Sequence, residues 1–374
     1  MKKSCFSELD KVLIPLLKKG VENGVFSGAA VGVYKNSKGS AEKKIICHGK
    51  TKNGPEGKSV KNNTLFDLAS LTKPLCTVLG ILHLIETNKI SWNTKIESLF
   101  GTKTAVFLKN IQITHLLSHS SGLKAYKPFY LAFPAIRDPK NKQKLLNSIF
   151  KEKPVFAAGE KCVYSDLGYI LLGEIIEKVS GKQLNHFFDL IITRPLGLNK
   201  QIMFIPVDKY ETRENTEILA TQYCPWRQRL LQGEVDDEHC WLMNGVAGHA
   251  GLFGNIQGVL DMSAHILNQW QGRGEHPSYS STLLQTALVR QHNDQTWCLG
   301  FDTPSQPGSS GGKYISEKSV GHLGFTGTSF WIDPENDMVV VLLTNRVHPK
   351  RENEKIKQFR PLLYDTVYQT MQIK

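Results

Sequence analysis

Short β-rich runs stand near both ends of this chain, with helical patterns between them, and that distribution limits the folds open to it. Residues 28–34 and 44–48 are rich in β-branched and small apolar types and flank the turn-forming Asn36-Ser37-Lys38-Gly39, so they read as a hairpin. Residues 322–332 and 338–344 repeat the pattern around Asp333-Pro334-Glu335-Asn336-Asp337, where proline and acidic residues suit a turn. Strands at both ends imply one α+β sheet layer assembled from the two termini, with a helical subdomain inserted between them.

The helices follow from apolar spacing. Phe6, Leu9, Val12, Leu13, Leu16 and Leu17 predict an amphipathic helix ending near Gly20, and residues 361–371 predict a closing helix. Between them, Leu75, Val78, Leu79, Leu82 and Ile85 predict a buried helix ending around Asn88. Residues 114–122 read as a short helix running from a capping threonine to a glycine. Leu167, Ile170, Leu171, Ile175 and Ile176 predict a buried helix just behind the loop of residues 164–166, residues 252–267 a further helix, and the small residues of Gly245-Val246-Ala247-Gly248-His249-Ala250-Gly251 point to tight backbone packing near a site. Residues 304–312 form a Pro/Gly/Ser loop. The expected division is a sheet subdomain of residues 1–62 and 296–374 around a mostly helical subdomain of residues 63–295, all in one domain of 374 residues.

Hydrophobic residues make up 40% of the chain, ordinary for a protein with a packed core. The formal charge of +12 is spread along the whole length without an aromatic-studded basic stripe, which argues against a nucleic-acid partner and leaves an anionic substrate or surface open. The seven cysteines, Cys5, Cys47, Cys76, Cys162, Cys224, Cys240 and Cys298, contain no C-x-x-C pair, so reduced thiols in a cytoplasm are expected. Met1-Lys2-Lys3 resembles the start of a signal peptide, but Glu8, Asp10, Lys11 and Lys18 interrupt any apolar core behind it. No run approaches ~18 uninterrupted apolar residues, so no membrane insertion is expected.

Chemistry enters at Leu68-Ala69-Ser70-Leu71-Thr72-Lys73-Pro74. On a helix, Ser70 and Lys73 share a face, which puts an amine beside a hydroxyl. Pro74 lacks an N–H and crowds the carbonyl four residues back, so this segment belongs to a helix start. There the unpartnered N–H groups suit an oxyanion. His115 and His119 stand four apart like a pair of metal ligands, yet no acidic partner follows at the matching spacing, and they read as structural. No metal and no cofactor are expected.

Two further segments complete an ordered set: Tyr164-Ser165-Asp166 before a helix and His322-Leu323-Gly324 on a late strand. With Ser70-x-x-Lys73 they resemble the three active-site elements of the serine β-lactamase and penicillin-binding protein superfamily, most closely its class C and esterase-like branch. The stretches FDLASLTKP, YSDLGYILLG, GVAGHAG, GHLGFTGTSFWIDP and LLTNR carry the same likeness. The resemblance implies a β-lactamase/transpeptidase-like fold and a serine hydrolase of esterase, β-lactamase or D-alanyl-peptidase type acting on a small-molecule or peptide substrate. It implies Ser70 as acylated nucleophile, Lys73 as its partner, Tyr164 as the base that shuttles a proton to the leaving group, and the N–H groups of Ser70 and Phe325 as oxyanion hole. Asp166, His322 and Gly324 would support or bind substrate. Two positions depart from the pattern. Asp166 replaces a common asparagine and would keep Lys73 charged. His322 replaces a lysine, so a permanent cation for a substrate carboxylate is missing, although an unperturbed imidazole near ~6.5 would gain charge on acidification. The alternative reading is a penicillin-recognising or scaffold protein of the same fold with little turnover.

Overall fold

The computed structural model describes residues 5–37, 39–101, 105–212, 217–291, 295–305 and 307–372. Met1 to Lys3, Lys38 of the first hairpin turn and Gln306 of the 304–312 loop lie outside them.

Helix α1 (Cys5–Glu22) leads into the hairpin of β1 (Gly28–Ser37) and β2 (Ser40–Gly49), each strand longer than its apolar run alone indicates. Strand β3 (Phe66–Asp67) precedes a single 3₁₀ turn (Ala69–Leu71), a π-helical stretch (Lys73–Val78) and α2 (Leu79–Glu86). Helices α3 (Ile96–Phe100), α4 (Ile113–Leu117), α5 (Lys140–Phe150), α6 (Asp166–Ser180) and α7 (Leu184–Phe187) build the middle of the chain. Then come β4 (Ile202–Phe204), β5 (Ala220–Cys224), β6 (Arg229–Gln232), α8 (Glu238–Leu242), β7 (Leu252–Gly254), α9 (Ile256–Trp270) and α10 (Ser281–Ala287). The chain closes with β8 (Val320–Leu323), β9 (Ser329–Asp333), β10 (Met338–Thr344) and α11 (Ile356–Thr370).

The termini do meet in one antiparallel sheet, ordered β2-β1-β10-β9-β8, with Ala29 opposite Thr344 and Lys35 opposite Met338. Both faces are covered, which is why Met338-Val339-Val340-Val341-Leu342-Leu343 is continuously apolar. On β10, Met338, Val340 and Leu342 join the core under α1 and α11, while Val339, Val341 and Leu343 join the larger core shared with the helical region. Helix α9 packs on that second face, where Gly32 of β1 leaves room for Leu260 and Ile256. Thus α9 covers the sheet although it lies inside the 63–295 span.

Several expectations are corrected. Residues 252–254 form a strand rather than the start of a helix: β7 is the centre of a three-stranded sheet, β3-β7-β4, and α9 starts only after Asn255, whose side chain accepts the Gly258 N–H. Residues 322–332 are two strands with a turn at 324–328 rather than one. The short helix around residue 114 is α4, with Gln112 at its cap and Thr114 inside its first turn. Helix α11 begins at Ile356, a turn and a half before Pro361, and so carries Arg360. The window Ala69–Glu86 is long and apolar enough to cross a membrane by composition, yet it contains Lys73 and 78% of it is buried inside the protein.

Candidate active site

Asp67, the last residue of β3, fixes the segment that carries Ser70. Its carboxylate accepts the Ala69 N–H (2.8 Å) and the Asp236 N–H (2.7 Å), while its carbonyl accepts the Thr326 hydroxyl (2.7 Å). Ala69 is held at φ +47°, a left-handed conformation that costs a non-glycine residue on the order of 1–3 kcal/mol, and the Asp67 carboxylate bonds the very N–H of that residue. Beyond the 3₁₀ turn, Pro74 falls at the start of the π-helical stretch, where its missing N–H leaves no broken hydrogen bond. Ser70 therefore sits at a helix start, as its sequence indicates, although the helix is not a regular α-helix there.

Lys73 is fully buried beneath Ser70. Its Nζ donates to Ser70 Oγ (3.0 Å), Asp166 Oδ1 (2.7 Å) and the His249 carbonyl (3.1 Å), which uses all three hydrogens of an ammonium. Burial pushes the Lys73 amine down, but Asp166 and Tyr164 outweigh it and hold it above the ordinary lysine value. Tyr164 lies on the loop before α6, whose N-cap is Ser165, and its hydroxyl donates to Ser70 Oγ (2.8 Å). Burial, opposed only in part by Lys73, holds the phenol above its usual value. The ring packs against His119 (4.6 Å between centroids), Trp297 (5.4 Å) and His322 (6.0 Å).

His119 acts on the neighbouring loop: Nδ1 accepts the Ser165 N–H (3.0 Å) and so pins the Tyr164 segment. Burial, with Lys73 and His322 beside it, keeps it well below the ordinary imidazole value. His115 Nδ1 accepts the Gln112 N–H at the start of α4. Among the described residues no cluster of side chains suits a metal ion.

His322 does not behave as an unperturbed imidazole. Burial and the neighbouring Lys73 charge lower it to about 3, and Nδ1 donates to the Leu323 carbonyl (2.8 Å), so the ring is neutral at pH 7 and still neutral at pH 5.5. The expected gain of charge on acidification is thereby removed. Gly324 follows β8, where a Cβ would stand 1.9 Å from Thr328 Oγ1 and 2.8 Å from the Leu68 carbonyl; only glycine lets this turn approach the segment before Ser70. Phe325 projects its ring outward between the guanidinium groups of Arg346 (4.5 Å) and Arg351 (5.3 Å).

Ser70, Tyr164, Asp166, His322, Gly324 and Phe325 thus line one cavity of about 780 Å³, with Lys73 under its floor. Asp67, Asp236, Asp237 and Glu238 supply acidic groups to its wall, and Arg346, Arg351, Lys357 and Arg360 basic ones. Arg351 pairs with Glu238 (3.1 Å). Sequence reasoning missed His249, Asp67, Trp297 and Arg360. The small-residue run around His249 was the one usable signal, and the structure explains it: a Cβ on Gly248 would stand 2.2 Å from the Tyr169 carbonyl. His249 turns its carbonyl to Lys73 and its Nε2 to Asp237 (2.8 Å).

The family model described as Beta-lactamase matches residues 13–363. An N-acetylmuramyl-L-alanine amidase of Bacillus subtilis (strain 168) is 32% identical over 311 residues, which cover 77% of this chain and 69% of the relative. A putative D-alanyl-D-alanine carboxypeptidase of Escherichia coli (strain K12) is 31% identical over 305 residues, covering 76% and 70%. Among solved structures, EstCE1, a hydrolase with promiscuous acyltransferase activity, superposes with a TM-score of 0.76 at 17% identity over 97% of this chain and 99% of its own, a likeness of fold.

Proposed function

The chain belongs to the beta-lactamase family and is a serine hydrolase of that superfamily, and from that premise we propose that it forms an acyl-enzyme on Ser70 and hydrolyses an amide or ester. The observation that carries this reading is the position of Ser70 Oγ, 3.0 Å from Lys73 Nζ and 2.8 Å from Tyr164 Oη. Tyr164 is a neutral phenol and Lys73 an ammonium in the free protein, so neither is a ready-made base. A relay satisfies both facts. With substrate bound, the Tyr164 O–H turns from Ser70 Oγ to the leaving nitrogen or oxygen and Ser70 O–H donates to Tyr164 Oη. As Ser70 Oγ bonds to the carbonyl carbon its proton passes to Oη, the phenol's own proton passes to the leaving atom as its bond to that carbon breaks, and the buried ammonium offsets the negative charge that develops on the phenol oxygen. The N–H groups of Ser70 and Phe325 receive the carbonyl oxygen, and water later reverses the relay to free the acid.

The relatives named an amidase and a carboxypeptidase favour an amide of an amino acid as substrate. The neutral His322 counts against a carboxylate-bearing β-lactam seated at that position. Contact among Ser70, Lys73 and Tyr164 weighs against a scaffold without turnover. We also propose a reducing, cytoplasmic setting, supported by free thiols at Cys47, Cys76, Cys224, Cys240 and Cys298; the side chain of Cys5 lies outside those described.

The test is intact-mass analysis after treatment with a fluorophosphonate, with Ser70→Ala as control. One added phosphonyl group is expected on the wild type, and Ser70→Ala should keep its melting temperature while losing both label and turnover of p-nitrophenyl esters. Full labelling of the variant on another serine would overturn the assignment.

A further inference from the structure

Arg360 is a buried cation without a carboxylate. It is 7% exposed, no acidic side chain among the described residues lies within ion-pair distance of it, and its Nε has no hydrogen-bond partner there. A guanidinium taken from water without a counter-ion carries the desolvation penalty of a buried ion, so its placement calls for a reason. Its Nη2 donates to the carbonyls of Gly324 (3.0 Å) and Thr328 (3.1 Å), the two ends of the turn that borders Ser70. Gly324 O also accepts the Gly327 N–H (3.1 Å), and Thr328 O accepts the Gly324 N–H (2.7 Å).

We propose that Arg360 is a positioning residue for the oxyanion site, fixing the Gly324–Phe325 peptide plane so that the Phe325 N–H faces the substrate carbonyl. This rests on the reading of Ser70 and Phe325 given above. In a trans peptide the C=O and the following N–H point in opposite directions. Clamping Gly324 O from the α11 side therefore turns the Phe325 N–H away from Arg360, and among the described residues no protein acceptor takes that N–H. Arg346 Nε holds the next carbonyl, Phe325 O (2.7 Å), so the peptides on both sides of Phe325 are anchored. A cation on the carbonyl of an amide also polarises its N–H and strengthens it as a donor.

The experiment compares Arg360→Met and Arg360→Lys with wild type on p-nitrophenyl acetate and p-nitrophenyl hydrogen succinate, a neutral and an anionic acyl group on one leaving group. Expected is an equal fall in kcat for both esters, about 10–100-fold, somewhat less than the 10²–10³ lost when an oxyanion donor is deleted outright. KM should change little. The Ki of phenylboronic acid, which becomes tetrahedral on the serine, should rise by the same factor as kcat falls. Guanidinium ion should restore part of the kcat of Arg360→Ala where equal potassium chloride does not. If Arg360→Met fails to fold, Arg360→Lys decides. An unchanged kcat on the acetate ester in a folded variant overturns the proposal, and so does a loss confined to KM of the succinate ester, which would make Arg360 a reader of substrate charge. Failure of wild-type Ser70 to take the fluorophosphonate would instead bring down the acyl-enzyme reading, and this proposal with it.

Discussion

One carboxylate sets the charge at the centre of the site. Asp166 takes one hydrogen of the Lys73 ammonium at 2.7 Å, and without its charge burial would be opposed by Tyr164 only and would push the fully enclosed amine toward the neutral form. Asp166→Asn keeps an acceptor oxygen but removes the charge. The alkaline limb of kcat/KM should then move to lower pH. A pH–rate profile of the two proteins checks this, and coincident alkaline limbs would remove Asp166 from control of Lys73. Ser70 and Lys73 were legible from their spacing at a helix start, and Tyr164 and Asp166 through the resemblance that the ordered motifs carry. His249, Asp67 and Arg360 were not, because each acts through backbone groups that the fold brings close from far along the chain: Arg360 meets Gly324 across 36 residues, Asp67 meets the Asp236 N–H across 169, and Lys73 meets the His249 carbonyl across 176. No spacing rule spans such separations.

Elements were readable where their apolar period was long and ambiguous where it was short. Residues 252–254 are apolar and abut a true helix, so periodicity merges them with it; pairing with β3 and β4 is a tertiary fact that overrides the local pattern. Pro361 drew the start of α11 to itself because proline favours a first turn, and the helix in fact begins five residues earlier and tolerates the ring. The glycine-rich segment before β7 was readable as a tight packing site, and its contact with α6 is where element packing sets site geometry. Gly248 backs onto Gly173 and the Tyr169 carbonyl of α6, and its own carbonyl accepts the Thr77 hydroxyl (2.5 Å) from the helix that bears Lys73. Gly248→Ala should therefore force the segment off α6, costing about 1–3 kcal/mol, as overpacked interiors do. It should also lower kcat/KM, because the His249 carbonyl moves with it. Denaturant titration and ester hydrolysis measure the two effects, and loss of stability with full activity would show that the segment shifts without disturbing Lys73.

At the scale of the whole molecule, the sheet joined from both termini was legible from strand placement alone, whereas the degree of enclosure was not, and enclosure governs how stability follows pH. Burial holds His119 well below the ordinary imidazole value, His265 at about 4 and His322 at about 3, and it also lowers His239, His276 and His348. In the unfolded chain these rings titrate near ~6.5. Below that value the unfolded state binds more protons than the folded one, so stability falls as pH is lowered. Asp67 and Asp302 oppose this, since burial raises them to about 7 and about 6, and each favours the folded state as pH falls through those values. The histidines are the more numerous, and their effect should prevail. The melting temperature should fall from pH 7.5 to pH 5. His265 offers a clean attribution, because it lies on α9 beside His276, away from the cavity, and its Nε2 is buried without a partner. His265→Gln should reduce the loss of stability across that range by about 1–2 kcal/mol, the linkage value for one depressed histidine allowing for partial solvation. Denaturant titrations at both pH values test this. A melting temperature that rises toward pH 5 would mean that Asp67 and Asp302 outweigh the histidines, and an unchanged loss in His265→Gln would place the proton uptake on other rings.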